Sequence, residues 1–204
     1  MRLRFFPQIL AAFVCSLAVA AYSQVSPAAS ESSGLPITVG VGANYMNRSF
    51  DDGSVLGETL WIDMGLPVSG RLRGLGLEIE GEQIGTTKPT NYNQQREQVA
   101  AGGVTYSFYN FRRFQPHVKF MEGFGNAEYA PDNHPFNQTR TVTIAGGGFT
   151  YPLAGRLSAR VDYEYQWWPN FWVKPPTYTT GAALTPSGVS FGIAYQISPF
   201  RRHF

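Results

Sequence analysis

The chain has almost no cysteine: its 204 residues contain only Cys15, which lies within an apolar N-terminal stretch. A single thiol excludes an intramolecular disulfide framework and a metal centre built from several Cys ligands. Phe13 and Val14, just before Cys15, are larger than the residues that precede a lipidated cysteine. A lipoprotein anchor is therefore disfavoured.

Long apolar runs are also missing, apart from Phe5–Ala21 near the N-terminus. Arg2 and Arg4 precede this run and small residues follow it, so residues 1–23 are predicted to be a cleaved secretory signal peptide. The alternative is an uncleaved membrane helix, which needs about 20 apolar residues. Pro7 shortens the run and favours the signal peptide.

Net charge is nearly absent as well. Sixteen Lys and Arg face fourteen Asp and Glu, and the expected cleavage removes two arginines, which leaves fourteen of each. A nucleic-acid partner is therefore not expected. The mean hydropathy of −0.18 resembles that of a water-soluble protein, but aromatic residues reach 15% and glycines number 22. In an exported chain, this mixture is typical of a membrane β-barrel, whose strands are apolar on alternate positions only.

After a Ser/Ala/Pro-rich leader (residues 24–34), polarity alternates with period two, which indicates strands. The predicted strands lie at about 36–46, 57–66, 74–84, 98–108, 114–126, 139–151, 157–166 and 188–197. Long and short connections alternate between them, as in barrels with short periplasmic turns and long outer loops. Residues 35–204 are thus predicted to be an all-β, closed antiparallel up-and-down transmembrane β-barrel of about eight strands. Closure satisfies every backbone group in lipid.

One face of these strands carries charges that would point into the lumen. Because unpaired charges in a closed interior are very costly, they are expected to form ion pairs or hold water. An eight-stranded lumen is only wide enough for side chains, so a polar plug is favoured over a gate or ion path. The predicted lumen network comprises Asp63, Glu78, Glu80, Lys119, Arg160, Asp162 and Glu164.

The opposite face carries aromatic residues suited to the two membrane interfaces. These are Tyr45, Tyr106, Phe108, Tyr163, Tyr165, Trp167 and Tyr195. Trp168, Phe171 and Trp172 follow in a long loop, as interface anchors or as a recognition surface. Glu122 interrupts the apolar face of strand five, which a β-bulge or a position near the membrane rim would explain.

Several segments carry a family resemblance. They are Ala101-Gly102-Gly103-Val104-Thr105-Tyr106-Ser107-Phe108, Gln115-Pro116-His117-Val118-Lys119-Phe120, Gly146-Gly147-Gly148, Arg160-Val161-Asp162-Tyr163-Glu164-Tyr165-Gln166 and Trp168-Pro169-Asn170-Phe171. The chain resembles the outer-membrane β-barrel domain family, which includes the OmpA-like and OmpX-like small bacterial barrels. The resemblance implies the barrel fold and the outer membrane, and it implies no reaction.

No catalytic system stands out. His117, His134 and His203 are predicted to lie apart, so a Ser-His-acid arrangement is not supported. Phosphate-loop, dinucleotide and metal-ligand spacings are missing. We therefore expect a protein that is not an enzyme and has no cofactor or metal, with an envelope-structural role or an adhesion and recognition role for its loops. Porin-like transport of small solutes or hydrophobic compounds is the alternative, and a lipid-modifying enzyme the third hypothesis.

The expected partners follow from the predicted location. They are outer-membrane lipid, lipopolysaccharide and, during biogenesis, the barrel-assembly machinery. The barrel is expected to be a monomer.

Overall fold

The computed structural model describes residues 35–47, 54–85, 95–109, 113–129, 136–169 and 183–197. The chain divides into two units, residues 1–33 and 34–204. The first unit, with the predicted signal peptide, lies outside the described residues. No helix in the described part is both long and apolar enough to cross a membrane.

Eight strands and one short 3-10 turn form the second unit. The strands are β1 (Ile37–Asn47), β2 (Ser54–Gly65), β3 (Leu75–Ile84), β4 (Gln95–Ser107), β5 (Gln115–Tyr129), β6 (Phe136–Ala154), β7 (Leu157–Trp167) and β8 (Ser187–Gln196), and the 3-10 turn (Gly70–Leu72) lies between β2 and β3. Each strand pairs antiparallel with the next, and β8 pairs with β1, which closes the barrel. The eight-stranded up-and-down barrel predicted from the alternation is confirmed.

The two ends of the barrel differ. The turn end carries the connections β2–β3, β4–β5 and β6–β7, the start of β1 and the end of β8. The loop end carries the other four connections, of which residues 48–53, 86–94, 130–135 and 170–182 lie outside the described residues. The strands β5 and β6 have 15 and 19 residues, and they are longer than β1, β3, β7 and β8, which have 10 or 11 residues each.

The strand registers fix the tilt of the barrel. A row of paired residues followed once around the sheet leaves β7 at Trp167 and returns to it at Leu157, ten residues earlier in the chain. The row runs through Trp167, Thr143, Glu122, Gly102, Ile79, Ile62, Val39, Tyr195 and Leu157. A stagger of this size in eight strands tilts them by about 35–45° and leaves an interior that side chains can fill.

Two local predictions needed correction. The β-bulge considered at Glu122 is wrong, because β5 pairs with β4 and β6 there without a register shift. Glu122 faces outward and accepts a hydrogen bond from Thr143 Oγ1 at 2.9 Å. Trp167 lies at the loop end of β7, and Glu122 is two strands away from it along the row of paired residues. Glu122 therefore lies in the loop-side half of the barrel wall. The irregularity in register is instead between Pro152 and Ala154, in a segment predicted as a turn.

Candidate functional site in the barrel lumen

Lys119 on β5 is the centre of the polar network inside the barrel. Its Nζ lies 2.6 Å from Glu80 Oε2, 2.7 Å from Glu164 Oε1, 3.5 Å from Glu78 Oε1 and 3.9 Å from Asp162 Oδ2. The Lys119 side chain has no exposed surface. Since period two puts every second residue inside, three strands aim these charges at one point.

Arg160 on β7 connects the opposite walls. Its guanidinium makes a two-pronged contact with Glu78, Nη1 to Oε2 at 2.7 Å and Nη2 to Oε1 at 3.0 Å. Its Nε donates to Asp162 Oδ2 at 2.6 Å. Bidentate arginine–carboxylate pairs are among the strongest and most directional charged hydrogen bonds. Arg160 and Glu78 therefore form a bidentate ion pair that joins β7 to β3 across the lumen.

His117 extends the network toward the turn end. Its Nε2 lies 2.6 Å from Asp162 Oδ1 in a buried contact. Asp63 is close to the same level, where Thr105 Oγ1 donates to its Oδ1 at 3.4 Å. The structure therefore brings six of the seven predicted lumen residues into one connected set, while Asp63 is held by Thr105 beside it.

A second polar layer lies nearer the loop end of the lumen, and it was not predicted from the sequence. Asn44 Nδ2 donates to Glu82 Oε1 at 2.7 Å, and Gln166 Nε2 donates to Glu82 Oε2. Thr59 Oγ1 donates to Glu80 Oε1 at 2.9 Å, which adds Thr59 to the Lys119 network. The alternation of side chains places these residues on the inward face, as it does for the predicted lumen residues. Only the tertiary structure shows which of them meet.

Glu80, Glu82 and Glu164 form the one group of potential metal ligands found among the described residues, with one carboxylate oxygen from each within 4.8 Å of the others. Protein donors already serve all three. Glu80 accepts from Thr59 and Lys119, Glu82 from Asn44 and Gln166, and Glu164 from Lys119. The ammonium group of Lys119 lies where a cation would bind. We therefore assign no metal to this group.

The loop-side part of the lumen also contains an apolar cluster. The loop-end cluster consists of buried residues from three strands and the segments beside β7 and β8, namely Val99, Ala101, Met121, Ala127, Val142, Ile144, Trp168 and Leu184. Trp168 is fully buried, and its backbone exchanges hydrogen bonds with Leu184 at 2.9 and 3.1 Å. Its indole Nε1 donates to Gln166 Oε1 at 3.1 Å, which joins the apolar cluster to the polar layer.

This position contradicts the interpretation of Trp168 as a recognition residue. A ring without exposed surface cannot stack on a ligand outside the barrel. The lumen has room for it because the facing position is Gly125, where a Cβ would collide with the indole. Phe171 and Trp172 lie outside the described residues.

Trp61 occupies the lumen on the other side of the network. Its indole lies against Gly40 and Gly192, and a Cβ at either glycine would collide with the ring. The Arg160 guanidinium carbon lies 5.1 Å from the ring centroid, a cation–π distance. Gly40 and Gly192 therefore make room for one large side chain.

The predicted interface aromatics all point away from the lumen. Tyr106, Phe108 and Tyr195 lie at the turn end, and Tyr45, Tyr165 and Trp167 lie toward the loop end. Tyr163 differs, because it is one residue past the middle of β7. Their role at a membrane interface stays a prediction. Exposed apolar side chains such as Ile79 (66%) and Phe120 (51%) surround the barrel between the two groups.

Comparisons with known proteins agree with this architecture. The sequence model of a family described as outer membrane protein beta-barrel domain matches residues 10–196. No curated protein matches the chain in sequence.

Solved structures share the fold at low identity. Neisserial surface protein A has 13% identity and a TM-score of 0.54, over 80% of this chain and 97% of that chain. A major outer membrane protein from Thermus thermophilus has 11% identity and a TM-score of 0.54, over 80% and 99%. Ail, the attachment invasion locus protein of Yersinia pestis, has 11% identity and a TM-score of 0.50, over 79% and 97%.

Proposed function

The chain belongs to the outer-membrane β-barrel domain family, and from that premise we propose that it is a non-conducting, non-enzymatic barrel that stabilises the envelope or presents its outer loops for adhesion and recognition. The family places it in the bacterial outer membrane, in contact with lipid. Export by a cleaved signal peptide, insertion by the assembly machinery and a monomeric state belong to the same proposal.

The observation that carries this proposal is a lumen filled at two successive levels. Lys119 and Arg160 cross-link the strand walls through Glu78, Glu80, Asp162 and Glu164. The loop-end cluster then fills the interior with Trp168 and the apolar side chains around it. A solute would have to pass both these buried apolar side chains and the layer of ion pairs.

Opening the polar level is energetically unfavourable. Separating a buried ion pair leaves charges that are neither solvated nor paired, at a cost of about 3–5 kcal/mol for one pair. Lys119 holds two short contacts at once, with Glu80 and Glu164. This cost argues against the alternative of porin-like transport.

Recording from planar bilayers tests the proposal. The reconstituted full-length protein should give no discrete, reproducible conductance. The control is a variant with Trp61→Ala and Trp168→Ala, which widens the lumen at both levels without removing a charge. This variant tests whether the recording detects a widened interior. Reproducible single-channel steps from the wild-type protein would contradict the proposal.

Two further measurements test the other parts. Incubation with lipopolysaccharide followed by mass analysis should show no change of mass, because we assign no nucleophile–base–acid arrangement among the described residues of the lumen. The variant Phe171→Ala, Trp172→Ala tests recognition by the outer loops, since these residues remain the predicted contacts. Cells that present this variant should adhere less than cells that present the wild-type protein.

A further inference from the structure

Among the described residues of the three short connections, the turn end of the barrel carries exposed arginines and no acidic residues. Arg71 and Arg73 lie in the β2–β3 connection, Arg113 in the β4–β5 connection and Arg156 in the β6–β7 connection, and all four are exposed. The stretches 66–74, 108–114 and 152–157 contain neither Asp nor Glu. We call these four residues the arginine rim. Every short turn therefore contributes positive charge to the same end.

Exposed apolar and aromatic side chains lie at the same level as the arginine rim. Leu72, between two of the arginines, is 56% exposed, and Phe114, next to Arg113, is 57% exposed. Leu157, next to Arg156, is 42% exposed. Arginine beside exposed apolar residues is typical of a membrane–water boundary, where the stem contacts lipid and the head group meets the polar layer.

Contacts within the protein hold the arginine rim without neutralising it. The carbonyl oxygen of Arg71 accepts from the Tyr106 hydroxyl at 2.8 Å, and Arg156 Nη1 donates to the carbonyl oxygen of Ile197 at 3.2 Å. The Arg73 guanidinium lies 5.8 Å from the ring centroid of Tyr109. None of the ion pairs found among the described residues includes a member of the rim; all of them lie in the lumen.

The loop end of the outer wall has a different charge balance. Glu58, Glu122 and Glu128 lie there at outward positions of β2 and β5, together with Arg96 on β4. On the strands that the structure describes, the outward charge near the loop end is therefore mainly acidic, whereas the rim at the turn end is cationic. This difference in charge between the two ends belongs to the outer wall of the barrel, which contacts lipid. The ion pairs inside the lumen form a separate set.

We propose that the arginine rim binds the phosphate groups of anionic phospholipids in the periplasmic leaflet of the outer membrane. A guanidinium group offers paired N–H donors that match a phosphate, and its charge is permanent. Each basic residue near an anionic lipid surface gains about 1 kcal/mol, roughly fivefold in partition. The rim spans three of the seven strand connections, so it recruits a shell of such lipids instead of one bound molecule.

Nanodiscs of phosphatidylethanolamine with phosphatidylglycerol as the minor lipid test this proposal. The full-length folded protein is released from them, and native mass spectrometry gives the ratio of the two lipids that remain bound. Wild-type protein should retain phosphatidylglycerol at about threefold or more above its share in the disc. The variant with Arg→Gln at all four rim positions should retain both lipids near their bulk ratio.

The matched control is Arg→Lys at the same positions, which keeps the charge and should keep most of the enrichment. A heat-dependent shift in gel mobility verifies that each variant is folded. Equal phosphatidylglycerol enrichment in the wild-type and Gln proteins would overturn the proposal. Binding to purified cell-wall sacculi that depends on the rim, without a change in lipid ratio, would also overturn it and identify an anionic wall polymer as the partner.

Discussion

Replacing Lys119 by Met is the sharpest test of the lumen network. Methionine has a similar length and no charge, so Lys119→Met removes the ammonium group with little change of volume. The four carboxylates within 4 Å of Nζ are then deprived of their shared cation. We expect a large fall in the free energy of unfolding, although the strand pairing of the barrel stays intact.

The magnitude follows from the partners of each carboxylate. Glu80 keeps its bond from Thr59, and Glu78 keeps Arg160. Glu164 is the carboxylate most affected, because Lys119 donates to its Oε1 and no partner is found for its Oε2 among the described residues. Removing one member of a buried pair costs about 3–5 kcal/mol. Because Lys119 forms two short ion pairs, we expect the upper part of that range, about 4–5 kcal/mol.

Urea unfolding in lipid vesicles, followed by gel mobility and tryptophan fluorescence, measures this destabilisation. The double variant Lys119→Met, Glu164→Gln should recover at least about 1 kcal/mol, because the carboxylate left without a partner is then neutral. Val118→Met, on the outward face of the same strand, is the matched control and should stay within about 0.5 kcal/mol. If Lys119→Met were no less stable than Val118→Met, the reasoning about buried charge would be refuted.

Three further predictions use the same unfolding assay. Trp168→Ala should cost about 3–5 kcal/mol, because it empties the loop-end cluster, whereas the neighbouring Trp167→Ala on the outer face should cost clearly less; equal destabilisation would contradict the assigned burial. Gly192→Val should destabilise the barrel by more than about 1 kcal/mol, since it places a branched side chain against the lumenal indole, and a neutral result would mean that the indole is elsewhere. Ile79→Arg should cost about 2–4 kcal/mol in the middle of the lipid-facing wall, and Gln83→Arg near the loop end about 0–1 kcal/mol; the reverse order would show that the membrane level is misplaced.

The alternation of side chains made the fold predictable. Residues 157–166 switch polarity at every position, so the inward set Arg160, Asp162 and Glu164 and the outward tyrosines could be separated without a structure. Glu122 shows the limit of that approach. Its polarity conflicts with its neighbours on the outer face, and a bulge was one way to resolve the conflict. The registers of β4 and β6 show that it faces outward without a bulge.

Trp168 could not be placed from its position in the chain. It follows β7 in a run of aromatic residues, which suggests an exposed patch, yet it turns into the lumen because Gly125 leaves space and Leu184 pairs with its backbone. These partners are 43 and 16 residues away in the sequence. Contacts at such distances depend on how eight strands close, and no local pattern reports them.

By itself, the sequence determined the number of strands, which face of each strand is polar, the alternation of long and short connections, and the positive charge of the short turns. These are local properties, because a two-residue period and the composition of a turn need no partner. Only the tertiary structure decided that Lys119 meets four carboxylates, that Trp168 and Leu184 join a buried apolar cluster in the lumen, and that arginines from three separate turns share one rim. Those features depend on the stagger of ten residues around the closed sheet, since the register between strands sets which inward side chains stand at the same height.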